Sequence, residues 1–184
     1  MRRTLDTIYL CALWMSAACL ATIALLVGFQ LAFRLVDGFL KLIGAPVLGF
    51  QILSLAEIAA YMLAGASFMA LAPTLKAGAH IRVTMLMSAL SKTARRYVES
   101  AAFAVSTAVC AYGAWQLIDF AWVSYRFNEV SYGVIKVPLF IPQAVMALGA
   151  VVLVIALFDE TVMVIRRGEA SFQATEDAIT LGKE

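Results

Sequence analysis

Apolar positions along this chain fall into four long runs, and the charged residues mark their edges. Residues 7–33 carry no charge, 42–75 carry only Glu57, and 100–118 and 137–158 carry none. Each run reaches the roughly 17–25 residues that a helix needs to cross about 30 Å of hydrocarbon. The pattern predicts helices near 8–31, 48–73, 98–124 and 139–164. Helices are required because lipid cannot satisfy backbone N–H and C=O groups, whereas a helix satisfies them within its own segment. The segments joining the first two and last two runs, 32–47 and 125–138, are too short to hold a soluble catalytic domain.

A different pattern follows the second run. Val83, Leu86, Met87, Leu90, Ala94 and Tyr97 recur at helical spacing, while Ser88, Lys92, Arg95 and Arg96 fall on the other face. This predicts an amphipathic helix over 83–97. Its stripe either lies among acyl chains, with Lys92, Arg95 and Arg96 near anionic headgroups, or packs on the protein's own helices. The expected fold class is therefore an all-α membrane protein with four transmembrane helices and a cytoplasmic-side interfacial helix. Residues 1–167 would form the membrane domain, and 168–184 a polar cytoplasmic tail.

Composition agrees: of 184 residues, 63% are hydrophobic and 14% charged, and the mean hydropathy of +0.90 is far above soluble usage. A net charge of +2 with no basic stripe gives no reason to expect nucleic acid. The placement of cations says more. With the N-terminus inside, the cytoplasmic side holds Arg2, Arg3, Lys76, Arg82, Lys92, Arg95, Arg96, Arg166, Arg167 and Lys183, and the other side only Arg34, Lys41, Arg126 and Lys136. That asymmetry predicts both termini in the cytoplasm. Trp115, Trp122, Tyr125, Phe127 and Tyr132 gather at the outer end of the third run, where interfacial rings are expected. The first run is longer than the roughly 7–15 apolar residues of a signal peptide, so it is expected to be retained as a helix.

Few side chains offer chemistry. Glu57 is the charge within a run, and an ionised group at the bilayer centre costs about 2.5 kcal/mol or more, so it should face protein or water. It is either a proton or cation site or an anchor to another helix or subunit. His80, the sole histidine, cannot supply both axial ligands of a bis-histidine haem, and no cysteine stands near it to suggest zinc. A hydrogen-bonding role at a helix end is the expectation. Arg82 either binds a lipid phosphate or a partner's carboxylate or carbonyl, or is solvated. Cys11, Cys19 and Cys110 fall within runs and read as small apolar packers, and Asp119 reads as a boundary residue. No glycine-rich phosphate loop, nucleophile elbow or His-Glu-x-x-His pair is present, so no enzymatic activity is expected.

The order of these features resembles the small membrane subunit of tripartite ATP-independent periplasmic (TRAP) transporters, the DctQ-like family. The resemblance rests on four spans, Glu57 early in the second, Leu63-Ala64-Gly65-Ala66, and then Gly78-Ala79-His80-Ile81-Arg82-Val83. It continues through Ser131-Tyr132-Gly133, Val137-Pro138-Leu139, Ile141-Pro142-Gln143 and Gly149, covering roughly residues 8–167. The chain departs from the family pattern at Thr84, where an aspartate is common, and around Tyr61-Met62-Leu63, where a tryptophan is common.

The resemblance implies a subunit of the bacterial inner membrane without catalysis or cofactor of its own. A periplasmic binding protein would deliver an organic acid, and a large multi-span permease would carry it inward using the sodium gradient. This chain would be the scaffold beside it. Glu57, His80, Arg82, Ser131, Pro138 and Pro142 would then be partner-interface or structural positions. A rival reading is a self-sufficient four-helix exporter that exchanges protons for a cationic drug at Glu57. A membrane anchor for a redox enzyme is a third.

Overall fold

A computed structural model describes residues 2–77 and 92–167. They form four α-helices: α1 (Arg2–Leu42), α2 (Leu55–Lys76), α3 (Lys92–Arg126) and α4 (Phe140–Arg167). All four are long and apolar enough to cross a membrane. Among the described residues there is no strand, only an isolated antiparallel bridge between Val130 and Pro138.

The four apolar runs each became one helix, but the ends moved. α1 has 41 residues and no proline, so nothing breaks it until Gly44 adopts a left-handed φ of 73° ahead of Pro46. At 1.5 Å per residue it is about 60 Å long, twice the hydrocarbon thickness, and it runs well past the expected end at residue 31. The extension carries Arg34, Asp37 and Lys41, which tolerate a helix that has left the lipid.

The chain then folds back along α1. Asp37 accepts hydrogen bonds from the Leu48 and Gly49 amides at 2.8 and 3.1 Å, and the Phe50 ring lies 4.9 Å from Phe33 and 6.1 Å from Phe29. Phe29 sits thirteen residues before the end of α1, so the loop descends by about 20 Å before α2 begins. The second span, expected from residue 48, therefore starts at Leu55. Gly49 at φ 65° and Ser54 at φ 56° hold residues 48–54 out of helical geometry despite their apolar composition.

The third helix also starts earlier than expected, at Lys92 rather than 98. Of the amphipathic stretch 83–97, residues 92–97 form the first turns of α3, and 83–91 lie outside the described residues. Lys92, Arg95 and Arg96 thus stand in the first turns of α3, ahead of its apolar stretch Tyr97–Arg126. α3 closes where Asn128 takes φ 51° and the Phe127 amide bonds the Val123 carbonyl.

The helices stand in a row rather than a closed bundle. α1 packs on α2, α2 on α4, and α4 on α3, with little contact between α1 and α4. Small residues permit close approach between the inner pair: Ala66, Ala72 and Ala156 are almost wholly buried. A Cβ on Gly149 would lie 2.6 Å from the Phe68 carbonyl carbon, and one on Gly65 would lie 3.0 Å from a Val145 methyl. α2 and α4 therefore meet backbone to backbone at Gly149. Ser16 of α1 donates to the Ala66 carbonyl at 2.9 Å, and the Thr107 and Thr161 hydroxyls join α3 to α4 at 3.2 Å.

Candidate functional site

Polar contacts concentrate in two layers at opposite ends of the α2–α4 pair. Between them the helices carry no ionised side chain over 7–33, 58–75, 100–118 and 137–158. The centre of the row is a contact of glycine, alanine and aliphatic residues, crossed by the Ser16–Ala66 hydrogen bond.

The layer at the loop end is built around Glu57. It lies in the first turn of α2, not deep within a span, because the helix begins seven residues later than expected. The amide dipoles there favour a carboxylate by about 0.3–1 kcal/mol. Tyr61, one turn on, donates its hydroxyl to Glu57 Oε1 at 2.8 Å. The backbone of Gly133 presses against the other oxygen so closely that a Cβ would fall on Glu57 Oε2. The Ile135 amide donates to Ser54 Oγ at 3.2 Å, fixing the 127–139 loop to the residue just before α2.

That loop has its own frame. Buried Ser131 accepts from the Val137 amide at 3.2 Å and donates to the Ile135 carbonyl at 3.1 Å, while its own amide bonds the Val137 carbonyl. Pro138 pairs across the bridge with Val130 and immediately precedes the residue before α4. Pro142 is buried in the first turn of α4, where a missing N–H costs no helical bond. Glu129 accepts from Ser124 at 2.7 Å and ties the loop to the end of α3. The structure thus brings Glu57, Ser131 and Pro138 into one assembly through Ser54 and Gly133. His80 and Arg82 lie outside the described residues.

The layer at the other end was not anticipated. Lys76, the last residue of α2, sends Nζ to Asp159 Oδ2 at 2.6 Å and Glu160 Oε1 at 3.0 Å. The Glu160 side chain is completely buried, and the ammonium also sits 5.6 Å from the centre of the Tyr9 ring. α1, α2 and α4 meet here. Nothing in the sequence pattern singles out this contact, because partners 83 and 84 residues apart sit at run edges where charges are ordinary. An open cavity of about 380 Å³ lies beside it, lined by Asp6, Tyr9, Lys76 and Asp159 and by apolar residues of α1, α2 and α4.

These layers fasten helices to one another and to a loop. Among the described residues no group of three or more His, Cys, Asp or Glu side chains is arranged to hold a metal ion. Glu57, hydrogen-bonded at a helix mouth and covered by Gly133, gives no support to an exporter that couples through a carboxylate in mid-membrane.

A search of curated proteins and a search of solved structures each returned no match. The sequence model of the family described as "Tripartite ATP-independent periplasmic transporters, DctQ component" matches residues 38–167, which takes in the Asp37-held loop, the Glu57 layer and the Lys76 layer. With that span exceeding half the chain, and with four apolar helices on which to place it, this protein belongs to the DctQ family of TRAP transporter small permease components.

Proposed function

We propose that the chain is the fixed scaffold of a sodium-coupled TRAP importer and carries neither the solute nor the ion. The observation that supports this most is the charge-free centre of the helix row. Coupled transport needs several polar or broken-helix groups near the midplane, and here the charged side chains of α2 and α4 lie toward the helix ends while the two helices close on each other at Gly149. A large multi-span permease would supply the pathway. A periplasmic binding protein would deliver the organic acid. On this reading both termini are cytoplasmic in the inner membrane, and the Glu57 layer faces the periplasm.

The row leaves the outer faces of α1 and α3 bare, with Trp14, Leu25, Val109 and Tyr112 well exposed. Lipid or the large permease would cover them. His80 and Arg82 would grip the partner at the cytoplasmic edge, and Lys92, Arg95 and Arg96 would fix the subunit's depth against anionic headgroups.

The test is genetic and biochemical. A tagged copy purified from its own membranes should bring down a much larger multi-span protein, and deleting this chain should abolish uptake while that protein is still made. Normal uptake in the deletion strain would refute the proposal.

A further inference from the structure

A groove of about 440 Å³ lies between α3 and α4 in the half of the row nearer the 127–139 loop. Ala121, Ala144 and Ala147 leave the space, since each carries only a methyl group where the neighbouring lining residues Ile118, Leu148 and Val151 are larger. No charged side chain lines it. Three rings gather at its loop end, with Tyr125 at 5.3 Å from Phe140 and 6.0 Å from Trp122.

The length of the groove matches one leaflet. From Phe140 to Val151 α4 rises about 16 Å, against roughly 15 Å for half of the hydrocarbon core. The ring end lies where the apolar stretch of α3 stops at Arg126, the depth at which interfacial aromatics meet headgroups. A partner helix would need a groove that continues through both leaflets. This one ends at Ile118 and Val151, and beyond it the Thr107 and Thr161 hydroxyls join α3 to α4.

A cation stands at the headgroup end. Arg126 follows Trp122 by four residues, which places the two one turn apart on the same side of α3. It is exposed and makes no ion pair among the described residues. Nearby carboxylates leave it free, because Glu129 is turned to the Ser124 hydroxyl and Asp119 lies seven residues, about 10 Å, deeper along α3. A guanidinium fork suits a phosphate. We infer that the groove holds one acyl chain of a phospholipid from the leaflet at the loop end, with Arg126 on its phosphate. The site needs only the place of these helices in the membrane, and the lipid is a packed part of the α3–α4 contact.

The experiment uses the full-length protein in the complex with which it purifies, in phosphatidylcholine nanodiscs. The probe is phosphatidylglycerol with a diazirine on its acyl chain, and a diacylglycerol with the same chain serves as the phosphate-free control. After irradiation, peptide mass spectrometry maps the adducts. They should concentrate on residues 118–125 and 140–151 rather than on Leu25 and Val109, which are at least as exposed as the groove residues. Ala144→Phe fills the groove from an exposed position and should remove most of the groove adducts. Arg126→Gln should lower phosphatidylglycerol labelling about fivefold and leave diacylglycerol labelling unchanged; it keeps the test open if Ala144→Phe fails to assemble. Adducts spread evenly over the groove, Leu25 and Val109 would overturn the site, as would groove labelling undiminished by Arg126→Gln. Labelling confined to other faces would place protein in the groove and overturn it equally.

Discussion

Glu57 shows how a single carboxylate can be conspicuous in sequence while its place along the helix is not. It looked like a charge inside a span because residues 48–54 are as apolar as the helix that follows. Gly49 and Ser54, both at positive φ, decide otherwise and put it at a helix mouth. Its partner Gly133 is 76 positions away, a contact that no local pattern announces. Gly133→Ala should push the carboxylate aside and break the Tyr61 bond, lowering stability by about 1–2 kcal/mol. In a Glu57→Ala background the same change should cost much less, since the group it displaces is gone. Thermal unfolding of the four proteins measures this coupling. Additive losses would show that Gly133 and Glu57 do not act on one another.

Lys76 carries a second expectation. Removing one member of a fully buried ion pair costs about 3–5 kcal/mol. The Asp159 side chain is 31% exposed and retains some solvation, while Glu160 is completely buried. Lys76→Met should therefore cost about 2–3 kcal/mol, read as a lower unfolding temperature of the purified complex. A change within a few tenths of a kcal/mol would mean that the lysine is ordinary surface.

The helices themselves were the most legible part of the chain. Charge-free runs located all four, because the cost of burying charge in lipid leaves few alternatives. Their ends were less legible. α1 continues to Leu42 because nothing in Arg34–Lys41 breaks a helix once it has left the hydrocarbon, and hydropathy cannot see that. The close α2–α4 crossing was not read from the sequence, where Gly65 and Gly149 entered only as parts of the family motifs. It yields a graded test. Gly149→Ala must move backbone at Phe68 and Met69, whereas Gly65→Ala need only displace a Val145 methyl. Gly149→Ala should lose about 1–3 kcal/mol, and Gly65→Ala clearly less. The reverse order, measured by unfolding in detergent, would contradict the packing.

The described residues form a row of four helices with charged fastenings toward both ends and a charge-free middle. A row has two broad faces, and among the described residues no further helix closes either of them. On the proposed reading a subunit built this way gains its function from what stands beside it, and membership of a transporter family was readable in the order of short motifs. Rigid fastening suits a part that stays still while a neighbour moves. The Lys76 and Glu57 layers tie α1, α2, α4 and the 127–139 loop together.

Reconstitution tests that account most directly. Proteoliposomes would contain this chain alone, the co-purifying large permease alone, or both, with an inward sodium gradient and the cognate binding protein loaded with a labelled organic acid. Accumulation is expected only in vesicles holding both proteins. Accumulation in vesicles holding this chain alone would show a pathway through the helix row, and would contradict the claim that it is a scaffold.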